Sequence, residues 1–388
     1  MLFLLTLIFV TFTVFGLPDS VLGSAWPLMY TDLKVPLPYA GIISVAAYLS
    51  TVFSAVLCEK FVKKFGTYAV ITASMLVTSA SVLGYVLSPG FVYLAVISVP
   101  LGLSQGFSDA CLNHYVAKYF SAKHMNWLHC FWGLGATLGP VIMAFSLTNF
   151  SSWRLGYLAI CIIQFIVTVF LFFSKKMWNN TAEAPSGKAE KRKSKARQIL
   201  RIPGVWQAML RFFLYCAAES TAGLWGASYM FITKGIAPET AARLISLYYF
   251  GITAGRFFSG FLTLKMSVRS VIRLGMLISV CGIILMIAPF GSVIQAIAFL
   301  LIGLGFAPVF PCMMHETGAN FGEEYSQAII GYQMACAYVG GSLMPALFGV
   351  IADYAGYRLL SAFLGALALG VIVLGIKTKR NETAVNEG

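Results

Sequence analysis

The chain has 388 residues, of which 59% are apolar and only 11% charged, and it carries a net charge of +13. Its mean hydropathy is +0.82. A water-soluble domain of this composition would expose large apolar patches, so the solvent for most of the chain is lipid. The basic excess follows membrane topology, as its placement shows below, and implies no nucleic-acid partner.

Apolar runs of roughly 20 residues, enough to cross a hydrocarbon core of about 30 Å, recur from end to end. They predict twelve spans near 3–28, 37–58, 66–88, 91–117, 126–149, 153–174, 203–233, 239–264, 268–289, 291–316, 325–350 and 357–376. Lipid offers no hydrogen-bond partners, so each span must satisfy its own backbone, which helices do locally. The runs are too long and uniform for barrel strands. An all-α membrane protein follows.

Span one begins without a basic leader and lacks a small-residue cleavage site, which marks it as a retained helix. It carries Asp19 after Pro18, on a face continued by Phe12, Phe15, Leu22, Gly23 and Trp26. An acid beside aromatics on one face is a cavity lining, because a carboxylate near the bilayer centre must be neutralised, paired or wet. In span four, Gln105, Asp109 and Asn113 fall at i, i+4 and i+8 and form a polar stripe facing water or solute. The alternative is a hydrogen-bonded clamp between helices. Span five adds His129, a packing or a functional residue, and Trp132.

Residues 175–202 hold nine Lys and Arg among Asn, Ser, Pro and Gly, a solvated linker. Beyond it, Arg211, Tyr215 and Glu219 lie at i, i+4 and i+8 on span seven, with Trp225 following. Arg211 lies near the entry of that span, where its side chain can snorkel. Arg256 in span eight and the His315–Glu316 pair at the end of span ten suit either a gate closed by a salt bridge or anchors at helix ends. Pro308 and Pro311 let span ten bend. Gln333 and Tyr338 in span eleven are further candidates for a polar wall.

The halves on either side of the linker repeat at an offset of about 200 to 205. Asp19, Ser20 and Gly23 return as Glu219, Ser220 and Gly223, Cys111 and His114 as Cys312 and His315, and Gly135 and Pro140 as Gly340 and Pro345. The expected organisation is a six-helix bundle over 1–174, the linker over 175–202, a second bundle over 203–378 and a tail over 379–388. Two pseudo-symmetric bundles around a midplane cavity are a transporter arrangement. With both termini inside, 20 Lys and Arg fall on cytoplasmic segments and five outside, which sets the orientation.

There is no G-x-x-x-x-G-K-[ST], G-x-S-x-G or H-E-x-x-H, and the eight cysteines show no metal or redox spacing. Neither an enzyme nor a cofactor is expected, and energy comes from an ion gradient or from the solute. In its twelve spans, basic central linker and paired halves the chain resembles the major facilitator superfamily. The segment D-A-C-L-N-H-Y at Asp109 to Tyr115 resembles the E-T-A-A-N-P-Y of fucose permease-like transporters, the fucose/galactose/glucose symporter family. The resemblance places Asp109 at that family's proton-linked glutamate, Asn113 at its asparagine and Asp19 at its first-span aspartate. After span two, C-E-K-F-V-K-K-F-G at Cys58 to Gly66 replaces the wider superfamily's G-x-x-x-D-R-x-G-R-[RK].

The resemblance implies sugar uptake coupled to H⁺ or Na⁺. Asp19 and Asp109 are the expected coupling residues. Gln105, Asn113, Trp26, His129, Trp132, Glu219, Trp225, Gln333 and Tyr338 are the expected solute residues, and Arg256, His315 and Glu316 the expected gate. The expected partners are a small polar solute, the coupling ion and lipid, with a monomer working in the plasma membrane. A drug or amphiphile exporter of the same fold, or a non-transporting sugar sensor, are the alternatives.

Overall fold

The computed structural model describes residues 2–120, 122–178, 199–289 and 291–386. Its long helices are α1 (Leu2–Asp32), α2 (Ala40–Phe65), α3 (Thr67–Val86), α4 (Phe91–Tyr119), α5 (Ala122–Phe150), α6 (Trp153–Phe173), α7 (Val205–Lys234), α8 (Pro238–Leu262), α9 (Val268–Ile287), α10 (Ser292–Phe306), α11 (Val309–Ala355) and α12 (Leu360–Asn386). Among the described residues there is no strand. Ten stretches of the described residues are long and apolar enough to cross a membrane. The other two long helices, α7 and α8, carry Arg211, Glu219 and Arg256 in their interiors.

Helix ends follow from local chemistry. Ser152 caps α6 by accepting from the Leu155 amide, and Ser267 caps α9 by accepting from the Ser270 amide. Pro238 starts α8 at a position where its missing N–H costs nothing. Gly235 closes α7 in the left-handed conformation with φ +65°, which only glycine adopts freely.

The tenth span differs from the single helix expected over 291–316. It is interrupted at Ala307 and Pro308, because proline has no N–H and its ring opposes the carbonyl of Leu304. It resumes as the first part of α11, and Gly322 at φ +72° and ψ 162° turns the chain into span eleven. The last helix runs to Asn386, past the boundary expected at 378. Residues 179–198, most of the basic linker, lie outside the described residues.

Equivalent helices meet at equivalent small residues. A Cβ at Gly135 of α5 would strike the Thr13 carbonyl of α1, and one at Gly340 of α11 would strike the Phe213 carbonyl of α7. Likewise Gly102 of α4 sits against Ala47 of α2, and Gly303 of α10 against Tyr248 of α8. Close backbone approach at small residues is how membrane helices gain dispersion contact without a hydrophobic drive. Between the halves, α5 packs on α8 and α2 on α11, which is the exchange a pseudo-twofold axis demands.

That axis passes near Gly23 and Gly223, where α1 and α7 touch directly. A Cβ on Gly23 would lie 2.9 Å from the Leu224 carbonyl oxygen and 3.0 Å from its Cα. Toward the same end, a Cβ on Gly41 of α2 would lie 2.8 Å from the Ala346 Cα of α11. The halves are therefore closed on the side of the α1–α2 and α7–α8 connections. On the other side of Asp19, the Asp109 and His129 side chains are exposed.

Candidate functional site

A cavity of about 360 Å³ lies between the halves below the Gly23–Gly223 crossing. The N-terminal half contributes Phe12, Phe15, Pro18 and Asp19 from α1, Ser44, Tyr48 and Thr51 from α2, Gln105 and Asp109 from α4, and Trp132 from α5. The C-terminal half contributes Glu219, Ser220 and Gly223 from α7, Tyr248, Tyr249 and Arg256 from α8, and Tyr338 from α11. Six lining residues are tyrosines, counting Tyr85 and Tyr157. The wall is thus strongly aromatic.

Asp19 is held from both sides. Gln105 Nε2 donates to its Oδ1 at 2.5 Å, and Trp132 Nε1 donates to its Oδ2 at 2.8 Å. One turn of α4 beyond Gln105, Asp109 receives the Asn113 amide at 2.9 Å on Oδ1, and the same nitrogen bonds the Asp109 backbone carbonyl. Two carboxylates from α1 and α4 therefore open onto one space with neutral donors, and neither forms an ion pair among the described residues. A carboxylate within a membrane protein has to be neutralised, paired or wet.

The opposite wall is electrically different. Arg256 Nη2 lies 3.3 Å from Glu219 Oε1, and its guanidinium stands 5.4 Å over the Trp132 ring. The Tyr215 hydroxyl is beside both charges. Tyr248 donates to the Glu219 backbone carbonyl at 2.8 Å, fixing α8 on α7. Across the cavity, the Tyr48 and Ser220 hydroxyls are 3.2 Å apart and join the two halves.

Several expected site residues lie elsewhere. Trp26 and Trp225 are fully buried, and their indoles donate to the carbonyls of Leu37 and Pro345, each at 2.7 Å. Indoles satisfied by backbone inside packed protein are anchors of the closed end, so their expected place on the cavity wall is corrected. Gln333 is also buried away from the cavity, where its Oε1 accepts from Thr317 at 3.0 Å. Asn113 reaches the cavity only through Asp109. His129 packs edge-on to Phe12 at 5.8 Å, just beyond the lining.

The expected gate also divides. Arg256 belongs to the cavity, since its partner is Glu219, four turns from the end of α7 that carries Arg211. Glu316 instead pairs with Arg211 at 3.2 Å and Arg269 at 3.4 Å, a cluster within the C-terminal half. Arg211 is buried in that cluster and does not snorkel. His315, its neighbour in sequence, points to the exposed side.

Tyr338 lines the cavity as expected, but the other five tyrosines were the residues least visible in the sequence, because tyrosine is common in membrane helices and none of them breaks an apolar pattern. One signal was present. Tyr48 and Tyr248 stand at the same offset as Asp19 and Glu219. The thiols of Cys58 and Cys111, unrelated by any motif spacing, meet at 3.0 Å between α2 and α4.

Comparison with known proteins agrees with this architecture. The chain is 23% identical to the hexuronate transporter of Bacillus subtilis over 382 residues, covering 92% of this chain and 88% of that protein. It is 23% identical to bypass of stop codon protein 6 of Saccharomyces cerevisiae over 387 residues, covering 90% and 77%. Among solved structures, a mutant of nucleoside transporter NupG superposes with a TM-score of 0.77 at 12% identity, covering 96% of this chain and 98% of that one. A mutant of peptide transporter POT in complex with alafosfalin gives 0.75 at 14% identity, covering 96% and 93%. The family model for the Major Facilitator Superfamily matches residues 8–343 and 228–387, and the chain belongs to that superfamily.

Proposed function

We propose that the protein is a secondary active transporter that takes up a sugar or similar small polar solute by alternating access, coupled to H⁺ or Na⁺. The observation that carries this reading is the shared cavity, with Asp19 and Asp109 on one half and the Glu219–Arg256 pair on the other. Tyr48, Tyr249, Ser220 and Gln105 supply hydroxyl and amide groups for solute hydroxyls, and Trp132 a flat face for a sugar ring. The hexuronate transporter among its relatives and the nucleoside transporter of like fold support a small polar solute. The span-four segment from Asp109 to Tyr115 supports a fucose permease-like member.

In the proposed cycle, an ion or proton neutralises the Asp19–Asp109 wall while the solute fills the polar space. Both changes lower the cost of closing the cavity to water. The Gly23–Gly223 crossing then parts on one side as the halves close on the other, and rewetting of the carboxylates releases the ion. Coupling is one charge change biasing a two-state bundle. The distribution of basic residues supports cytoplasmic termini, and the proposed site of action is the plasma membrane.

Uptake into proteoliposomes under imposed H⁺ or Na⁺ gradients tests the proposal. Asp109→Asn is expected to abolish gradient-driven accumulation while sparing solute exchange. Full accumulation by that variant removes Asp109 from coupling. Solute binding without flux in the unaltered protein points to a sensor instead.

The aromatic wall favours one second reading, export of a cationic amphiphile. Phe12, Phe15, Trp132 and six tyrosines surround two carboxylates that lack a basic partner among the described residues. Gradient-dependent efflux of a lipophilic amine, with no sugar flux, would select it.

A further inference from the structure

We infer that Glu219 sets the charge class of the solute: by holding Arg256, it makes the cavity accept uncharged polyhydroxylated molecules and exclude carboxylates. The inference rests on the cavity being the solute site. Arg256 is the one basic side chain among the described residues that line it. A sugar acid needs such a group with free donors, because an arginine–carboxylate pair draws its strength from charge and paired N–H bonds together.

Here that group is already engaged. Its Nη2 lies 3.3 Å from Glu219 Oε1, the Trp132 ring covers the guanidinium at 5.4 Å, and the pair is largely shielded, with side chains 19% and 20% exposed. A carboxylate arriving in the cavity would meet a guanidinium whose charge Glu219 already balances and would have to compete with Glu219 for it. It would also add a negative charge opposite Asp19 and Asp109, which have no basic partner among the described residues. An uncharged polyol faces neither cost and still finds hydroxyl groups on both walls.

Glu219→Gln retains the side-chain shape and removes the charge. Arg256 then becomes a cation without a counter-ion, facing a cavity wide enough for a hexose-sized ring. The variant is therefore expected to gain recognition of uronates.

The test measures binding of radiolabelled D-glucuronate and D-galacturonate to the purified full chain by scintillation proximity, with D-glucose and L-fucose as uncharged counterparts. The unaltered protein is expected to show no uronate binding. Glu219→Gln is expected to bind at least one uronate tenfold or more tightly than the unaltered protein does, and further replacement of Arg256 by Gln to abolish the gain. Glu219→Asp withdraws the carboxylate by one methylene, so it is expected to show an intermediate gain and stands in if the Gln variant does not fold. Equal uronate binding by the unaltered protein and the variants overturns the inference, as does no uronate binding by any of them. Absence of sugar flux in proteoliposomes alongside the uronate gain would instead sink the transport proposal and leave the role of Glu219 standing.

Discussion

Glu316 offers a quantitative test of how the C-terminal half is held together. Its carboxylate lies 3.2 Å from Arg211 and 3.4 Å from Arg269, and its side chain is 9% exposed. The Arg211 side chain is 11% exposed, and its Nε has no hydrogen-bond partner among the described residues, so Glu316 supplies most of its compensation. Removing one member of a buried pair strands the other charge and costs about 3–5 kcal/mol. Arg269 is 37% exposed, and a solvated pair of that kind contributes about 0–1 kcal/mol.

The expected order of damage is therefore Glu316→Ala largest, Arg211→Ala smaller because Glu316 keeps Arg269, and Arg269→Ala least. Replacing Arg211 by Met and Glu316 by Leu together should recover most of the loss, since apolar residues of similar volume often substitute for a buried pair without penalty. Heat inactivation of membrane proteins in detergent is irreversible, so the assay compares half-lives of the monodisperse protein at one temperature. An Arg269→Ala variant as short-lived as Glu316→Ala would refute the reasoning, because exposure would then have no bearing on the pair's contribution. So would a Glu316→Ala variant as durable as the parent.

Gly23→Val is expected to hold the α1–α7 crossing open, because a branched side chain there has the Leu224 backbone at 2.9 and 3.0 Å. A cysteine at Ser24, fully buried here, should then react with a membrane-impermeant maleimide in a background lacking the native cysteines, and an unreactive thiol counts against this crossing as the closure. Trp26→Phe loses the 2.7 Å bond to the Leu37 carbonyl and should cost about 0.5–1.5 kcal/mol of stability. Its apparent KM for solute should stay unchanged, and a KM shift without a stability loss would return Trp26 to the cavity wall.

The helical membrane fold was legible because it depends on averages. Runs of apolar residues long enough to cross lipid must be helices, and every backbone group in them is satisfied locally. The duplication was legible for a related reason, since a repeated packing surface needs small residues at repeated positions. Gly135 and Gly340 marked themselves that way before either was seen against Thr13 and Phe213. At Pro308 the sequence pointed to a bend, and the structure has a full break between two helices.

Which polar residues share a space is a different kind of information. Asp19, Gln105 and Trp132 are 86 and 113 positions apart along the chain where they bond, and no periodicity on one helix reports its rotation against another. That is why Trp26 and Trp225, one or two turns beyond the acids, read as cavity residues yet are packed into the closed end. It is also why Arg256 and Glu316 read as partners in one gate yet belong to separate ion pairs. Sequence alone determined that this chain spans a membrane as two related helical bundles, because the cost of burying a peptide group in lipid acts residue by residue. Only the tertiary structure decided which charges face each other, because that depends on the angle and phase at which whole helices cross.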